Sequence, residues 1–300
     1  MQPILITGAH GQLGWALQSA VAPLGPVAAL DRQGLDLSDH RAIAETIAEL
    51  KPSVVLNAGA YTAVDKAEEA PARAMAINGT APGVIAEAAK AVDAAVVHFS
   101  TDYVFSGTGI SDHSGALRPY VESDPVAPIN TYGQSKLAGE LAIDAVGGRW
   151  TTLRLAWIYD GTRGQNFLRT MLRLGASHPE LSVVEDQRGA PTWVRPVAAA
   201  VAQITAAHLR GDEAAQGLFH LPAGGQTTWF EYAQHIFKRA APRLIAQSPV
   251  VKPVSSEAWP TPAARPRYSV MSGDLLAERL GLRLPHWQAQ LDLALGEITG

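Results

Sequence analysis

Short runs of three to five apolar residues recur along the first half of the chain. Each ends in small or acidic residues and is followed by a longer amphipathic stretch. Ile4-Leu5-Ile6 ends in Thr7-Gly8, and Gln12 to Val21 follows with helical spacing. Val27-Ala28-Ala29-Leu30 ends at Asp31, and Arg41 to Leu50 reads as a helix closed by Lys51-Pro52. Val54-Val55-Leu56 leads into Asn57-Ala58-Gly59-Ala60. A helical region is expected from Ala72 to Ala91, and Ala95 to Phe99 forms a fourth strand ending at Ser100-Thr101. The runs are apolar throughout rather than alternating, as strands covered on both faces require. This order predicts an α/β protein with a Rossmann-like, doubly wound parallel sheet.

Gly107 to Pro128 is rich in Gly, Ser, Pro and Asp and reads as a long surface loop. A helix is expected from Tyr132 to Ala145 and a strand from Thr151 to Ile158. Beyond it the rhythm weakens. Gly161 to Asn166 reads as loop, a helix runs to Leu174, Tyr232 to Arg239 looks helical, and Ala246 to Arg267 carries a proline-rich loop signal. The expected division is a dinucleotide-binding domain over 1–157 and a smaller, mainly substrate-binding domain over 158–300, with late segments free to return to the first.

Composition narrows the chemistry. The chain of 300 residues is 47% hydrophobic and 17% charged, enough for a sizeable core. A formal net charge of -4 and the lack of basic clusters argue against nucleic acid or anionic lipid as partner. With no cysteine, a thiol nucleophile and a Cys-ligated zinc site are excluded. The N-terminus lacks a basic, apolar leader pattern, and no run of about 20 apolar residues spans a bilayer. A cytoplasmic protein is expected.

Gly8, Gly11 and Gly14 follow the first strand and open the first helix. The first permits a tight turn, the second lets backbone approach a pyrophosphate, and the third allows helix to pack on strand. The helix N-terminus, with Gln12 and Leu13, offers N–H donors to an anion. Three glycines in a strand-to-helix turn are weak evidence alone, but their place at the start of a βαβ pattern strengthens them. Asp31 ends the second strand, where an acidic residue holds the adenosine ribose of NADH. Arg32 beside it could pair with the 2′-phosphate of NADPH, so the choice between NADH and NADPH stays open. Asp36 and Leu37 could flank the adenine, and Ala58, Gly59 and Ala60 are small enough to pass along the cofactor.

Tyr132 and Lys136 share one helical face. A nearby ammonium favours the phenolate, so Lys136 is expected to lower the tyrosine pKa and to hold the nicotinamide ribose. Tyr132 would protonate a carbonyl oxygen as hydride arrives. Thr101, at a carboxyl strand end, would bond the same oxygen. On an amphipathic helix this spacing is usually just a solvated face. The glycine turn and Thr101 favour a nicotinamide-dependent reductase.

The chain also resembles the extended short-chain dehydrogenases and, within them, the dTDP-4-dehydrorhamnose reductase family. The resemblance covers nearly the whole chain. It rests on Gly8 to Trp15, Asn57 to Glu68, Ser100 to Phe105, Pro128 to Lys136, Arg154 to Tyr159, Asn166-Phe167, Asp186 to Thr192 and Arg265-Pro266. The Tyr61 to Glu68 and Asp186 to Thr192 runs are its most specific parts. It implies reduction of the C4 keto group of dTDP-4-dehydro-6-deoxy-L-mannose to dTDP-L-rhamnose, with Thr101, Tyr132 and Lys136 catalytic. It places Val64, Asp102 and Trp157 against the sugar and gives Asn166 and Arg265 contacts to the nucleotide diphosphate. Some members bind Mg²⁺ at a dimer interface through a Glu where this chain has Ala16. Glu185 and Asp186 remain without that third carboxylate, so no metal site is assigned. Ser106 stands where the family usually carries Asp, and the loop after it is longer. Homodimerisation stays open. So do another nucleotide-sugar reductase or epimerase, and a non-catalytic dinucleotide-binding regulatory subunit.

Overall fold

A computed structural model describes residues 2–298. The apolar runs become β1 (Ile4–Thr7), β2 (Val27–Leu30), β3 (Val54–Asn57) and β4 (Ala95–Thr101), separated by α1 (Gln12–Val21), α2 (His40–Leu50) and a segmented crossover. That crossover consists of α3 (Val64–Glu69), α4 (Pro71–Ala74), a π-helical turn over Met75–Thr80, and α5 (Ala81–Ala91). The region expected as one helix from Ala72 is therefore interrupted. The wide turn buries the Asn78 side chain, which accepts from Tyr61 N at 2.8 Å and donates to Ser135 Oγ at 3.0 Å. Such widened turns often sit beside functional sites.

The chain continues through the short strands β5 (Ile110–Ser111) and β6 (Leu117–Arg118), then α6 (Thr131–Val146) and β7 (Trp150–Leu155). Gly107 to Pro128 is thus not simply loop. β5 and β6 form an antiparallel hairpin, and Tyr120 is buried with its ring stacked on Phe105 at 4.1 Å. Arg118 and Asp124 lock the segment with two hydrogen bonds of 2.7 Å.

Beyond β7 come β8 (Ile158–Tyr159), α7 (Phe167–Gly175), β9 (Glu180–Val184), β10 (Arg188–Gly189), β11 (Thr192–Trp193), α8 (Val194–Leu209), β12 (Gly217–His220), β13 (Thr227–Thr228), α9 (Trp229–Ala240), β14 (Val250–Val254), α10 (Asp274–Leu280) and α11 (Trp287–Glu297). The proline-rich loop expected from Ala246 to Arg267 contains β14, which pairs in parallel with β9. Pro253 is accommodated because this is a two-stranded ribbon, in which one edge needs no donor.

The central sheet has six parallel strands in the order β12-β7-β4-β3-β1-β2. Ile4 and Ile6 of β1 face a core shared with Leu13, Leu17, Val197 and Val201 of α1 and α8. Leu5 faces the opposite core, with Ile43, Ile47 and Ile85 of α2 and α5. Both faces of β1 are buried, which is why its sequence does not alternate. β12, late in the chain, pairs with β7 and completes the sheet. The carboxyl ends of β1, β3 and β4 open together at one edge, where open α/β sheets take ligands.

Candidate active site

The glycine turn is packed to the limit. Gly8 has φ +66°, and a Cβ there would lie 2.6 Å from Gly59 Cα. A Cβ on Gly14 would fall 2.2 Å from the Gly8 carbonyl oxygen, so helix and strand approach closely only without side chains. Gly11 precedes α1 without a side-chain cap, which leaves the first N–H groups of the helix available to an anion. Leu37 is buried against Gly59, whose Cβ would meet Leu37 Cδ1 at 2.6 Å, while Ala58 and Ala60 continue this small-residue floor. These residues form a cradle that added side chains would fill, and it fits a dinucleotide.

At the adenosine end, Asp31 Oδ1 accepts from Gln33 N at 3.0 Å and Gly34 N at 2.9 Å, and Asp31 Oδ2 lies 3.0 Å from His10 Nδ1. The Gly34 N–H is the largest influence holding the Asp31 carboxyl below its usual range. Arg32 is exposed and loosely tethered, with Nε 3.3 Å from Asp36 Oδ2.

The start of α6 is fixed from several directions. Asn130 caps it, accepting from Gly133 N at 2.8 Å and donating to the Ala264 carbonyl at 2.8 Å. Glu68 accepts from Thr131 N and Oγ1, each at 2.8 Å. Gly133 and Gly139 let the helix lie against Tyr103 and Asn78, whose carbonyl oxygens a Cβ would meet at 2.2 Å in each case. This packing brings Tyr132 to the end of β4, edge-on to Tyr103 at 5.6 Å and beside Thr101 and Asp102.

Lys136 is buried. Its Nζ donates to the Phe99 carbonyl at 2.5 Å and lies 3.3 Å from His98 Nε2. The expected depression of the tyrosine pKa by Lys136 is not found. Burial pushes Tyr132 up to about 12, with the Thr101 hydroxyl opposing and Asp102 reinforcing the rise. The ammonium points into the sheet, and desolvation of the phenolate outweighs the rest. Burial likewise pushes the Asp102 carboxyl up to about 6, with the Ser269 and Thr101 hydroxyls opposing the rise. Thr101 Oγ1 donates to Asp102 Oδ1 at 2.9 Å, while Oδ2 has no partner among the described residues.

On the side facing 158–298, Trp157 adopts φ +47°, an uncommon backbone for a bulky residue, and stacks on Trp229. Val64 opens α3, next to Asp65. Arg265 Nη2 donates to Asp65 Oδ2 at 2.9 Å, drawing the late segment across to α3. Asn166 caps α7 and donates to Gln12 Oε1 at 2.7 Å, so the glycine turn and the 160–166 turn are stitched together through Gln12. Arg163 lies over the Trp15 ring at 3.4 Å, strengthening the same junction. Ala16 is buried in the core and Asp186 accepts from Ser256 N and Oγ.

Sequence reasoning missed Asn78, Asn130, Trp229 and the buried pair Asn57–His98. Asn130 stands three residues before Gly133 at a helix start, and that capping position was the legible signal. The others depend on contacts between distant segments.

A six-stranded parallel sheet, with a glycine cradle built after β1 and β3 and with Tyr132 and Lys136 of α6 packed beside Thr101 at the end of β4, defines the class: an extended short-chain dehydrogenase/reductase, an enzyme working with a nicotinamide dinucleotide. The family model described as the RmlD substrate binding domain matches residues 1–299, and the chain belongs to that family. The chain is 45% identical to a dTDP-4-dehydrorhamnose reductase of Burkholderia thailandensis over 302 aligned residues, covering 98% of each chain. It is 41% identical to one from Escherichia coli K12, covering 98% of this chain and 97% of the other. A solved dTDP-4-dehydrorhamnose reductase from Bacillus anthracis, in complex with NADP, superposes with a TM-score of 0.88 at 34% identity over 99% of each chain. A UDP-glucose 4-epimerase of Thermus thermophilus shares the fold at 20% identity, with a TM-score of 0.76 over 98% of each chain. No helix among the described residues is long and apolar enough to cross a membrane.

Proposed function

We propose that the protein is a dTDP-4-dehydrorhamnose reductase. It reduces the C4 keto group of dTDP-4-dehydro-6-deoxy-L-mannose to the hydroxyl of dTDP-L-rhamnose at the expense of NADPH or NADH. The observation that carries this reading is the grouping of Thr101, Tyr132 and Lys136 at the end of β4 near the glycine cradle, in a chain 45% identical to a reductase of that name over 98% of its length.

The bound nicotinamide supplies a hydride to the sugar C4. Tyr132 supplies the proton to the carbonyl oxygen. With its pKa pushed up to about 12, its phenol stays protonated through the neutral range and is ready to donate. Thr101 turns its hydroxyl from Asp102 to the same oxygen, which strengthens that contact as negative charge develops. Lys136 holds the nicotinamide ribose. Gln12, Leu13 and Gly14 offer backbone N–H groups to the pyrophosphate, while Gly8 and Gly11 shape the turn against it, the Gly11 N–H donating to the Gly8 carbonyl at 2.9 Å. Ala58, Gly59 and Ala60 line its path, with Asp36 and Leu37 at the adenine. Val64, Asp102 and Trp157 surround the sugar, and Asn166 and Arg265 meet its diphosphate. Residues 1–157, completed by β12, form the cofactor part, and most of 158–300 forms the nucleotide-sugar part.

Both reduced cofactors serve on this reading. Asp31 is occupied by its own turn, which leaves Arg32 to reach a 2′-phosphate, so NADPH is preferred. The test is absorbance loss of NADPH or NADH with the 4-keto sugar nucleotide generated in place from dTDP-glucose. Oxidation with dTDP-rhamnose as product supports the assignment and ranks the cofactors. Tight cofactor binding without oxidation would move the assignment to another nucleotide sugar or to a regulatory subunit.

A further inference from the structure

Two carboxylates of the Tyr61 to Glu68 run, Asp65 and Glu68, stand three apart on α3 and share one side of it. Asp65 Oδ1 accepts from Ala263 N at 3.2 Å, and its Oδ2 accepts from Arg265 Nη2 at 2.9 Å. Glu68 Oε1 accepts from Thr131 N and its Oε2 from Thr131 Oγ1, each at 2.8 Å. Between these two attachments, Asn130 Nδ2 donates to the Ala264 carbonyl at 2.8 Å. The contacts close a ring. It runs from Asp65 to 263–265, from Ala264 to Asn130, along the chain to Thr131, across to Glu68, and back along α3.

Every link has one possible direction. Backbone N–H and guanidinium groups only donate, and carbonyls and carboxylates only accept. Asn130 Oδ1 is taken by Gly133 N at 2.8 Å, so the amide has its Nδ2 toward the Ala264 carbonyl. α3 is itself a fixed post. Ala67 is fully buried, and Tyr61, ahead of the helix, is held at its N–H and its carbonyl by Asn78 at 2.8 and 3.0 Å.

As a helix cap Glu68 is surplus. α6 is 16 residues long and Asn130 already caps it, and Glu68 is exposed, where a polar contact adds little stability. Its grip is nevertheless two-pronged and charge-assisted, a form that fixes direction as well as distance. The residue it grips directly precedes Tyr132. Tyr132 is the second residue of α6, so a tilt of the first turn displaces the phenol with it. We propose that Glu68 is a positioning residue: gripping Thr131 from α3, it sets where the Tyr132 phenol stands beside Thr101 at the end of β4. Arg265 hangs on the same ring, so the arm assigned to the sugar nucleotide's diphosphate and the proton donor share one frame. The consequence for proton transfer rests on the reductase reading; the placing of Tyr132 does not.

The test compares Glu68→Ala and Glu68→Gln in the full-length protein. Glutamine keeps an acceptor for the Thr131 N–H and turns its NH₂ to the Thr131 hydroxyl, so both prongs survive without the charge. Alanine keeps neither. In Glu68→Ala, kcat is expected to fall about tenfold, with KM for the sugar nucleotide and the NADP⁺ dissociation constant each within about twofold of the parent. Glu68→Gln is expected to recover most of the lost kcat. Tyr132 is followed without turnover through the ζ-carbon resonance of ¹³C-labelled tyrosine, assigned by its loss in Tyr132→Phe. That line is expected to shift or broaden in Glu68→Ala and to return to its parent position in Glu68→Gln. An unmoved line in Glu68→Ala overturns the proposal, and so does a parent-like kcat. A Gln variant as impaired as the Ala variant overturns it as well, because charge rather than grip would then be what Glu68 supplies. If the parent itself does not turn over the sugar nucleotide, the reductase reading fails and the resonance alone decides the role of Glu68.

Discussion

The indole of Trp229 lies flat on that of Trp157, with ring centroids 3.5 Å apart and planes 5° from parallel. On another side the Trp157 ring meets Gly189, where a Cβ would approach Cε2 to 2.4 Å. Trp229 Nε1 donates to Gln187 Oε1 at 3.2 Å, so the stack is anchored to the run before β10. Trp157 is thus clamped by residues more than thirty positions away. Removing one face of the clamp in Trp229→Ala is expected to raise KM for the sugar nucleotide about two- to tenfold, the worth of one aromatic contact. Cofactor affinity should not change. Steady-state kinetics with a separate cofactor titration checks both, and a variant in which the two constants shift together would show that Trp229 acts on the whole fold.

Tyr132→Phe removes the proposed acid and little volume. Turnover is expected to fall at least about 100-fold while the cofactor dissociation constant stays within about twofold. With Tyr132 raised to about 12, its phenol does not titrate below about pH 10. A loss of parent activity as pH rises through the range around 8 would therefore report Lys136, whose pKa is brought down to about 8, and not the tyrosine. A pH profile of kcat distinguishes the two.

Asp102 supplies a stability signature. Its carboxyl is raised from 3.8 to about 6, so the folded state holds a proton that the unfolded chain has released between those values. The folded state therefore loses stability as pH rises from about 4 to about 6, by at most about 3 kcal/mol, and gains none above that. Asp102→Asn should be more stable than the parent at pH 7 and nearly equal to it at pH 4. Its activity should drop, because the carboxylate proposed to face the sugar is lost. Denaturant midpoints at the two pH values decide, and an equal gap at both would show that the carboxylate is not the source.

Gly14→Ala adds a methyl group where a Cβ would lie 2.2 Å from the Gly8 carbonyl oxygen. The backbone must move, at about 1–3 kcal/mol. The turn that would carry the pyrophosphate is deformed with it. Cofactor binding is expected to weaken more than the melting temperature falls, as quenching of tryptophan fluorescence by NADPH will show.

Arg32 lies at the adenosine end with an exposed guanidinium. Arg32→Ala should raise KM for NADPH several-fold, consistent with loss of one exposed charge contact, and leave KM for NADH nearly unchanged. Equal effects on both cofactors would remove Arg32 from any role at a 2′-phosphate.

Much of this architecture was legible in local patterns. Ile4-Leu5-Ile6, Val54-Val55-Leu56 and Ala95 to Phe99 are apolar throughout because both sheet faces are covered. Gly8, Gly11 and Gly14 mark the turn because only backbone fits there. Tyr132 and Lys136 share a helical face whatever surrounds that helix. Signals of this kind depend on neighbours within one turn or one strand, so they survive without the fold. β14 was hidden because Pro249 and Pro253 read as loop, and pairing with β9 overrides that local preference.

Long-range geometry decided the rest. That Lys136 turns toward the Phe99 carbonyl and His98, and that burial keeps Tyr132 protonated, follow from how α6 packs on β4. The return of β12 to the first sheet, the Trp157–Trp229 stack and the Gly59–Thr7–Asn57–His98 row each join residues far apart in the chain. The chain's own order determined which groups were available and where the helices and strands begin. Which groups are desolvated, and which donor faces which acceptor, was settled only by packing, because dielectric and hydrogen-bond direction are properties of the folded neighbourhood rather than of the residue.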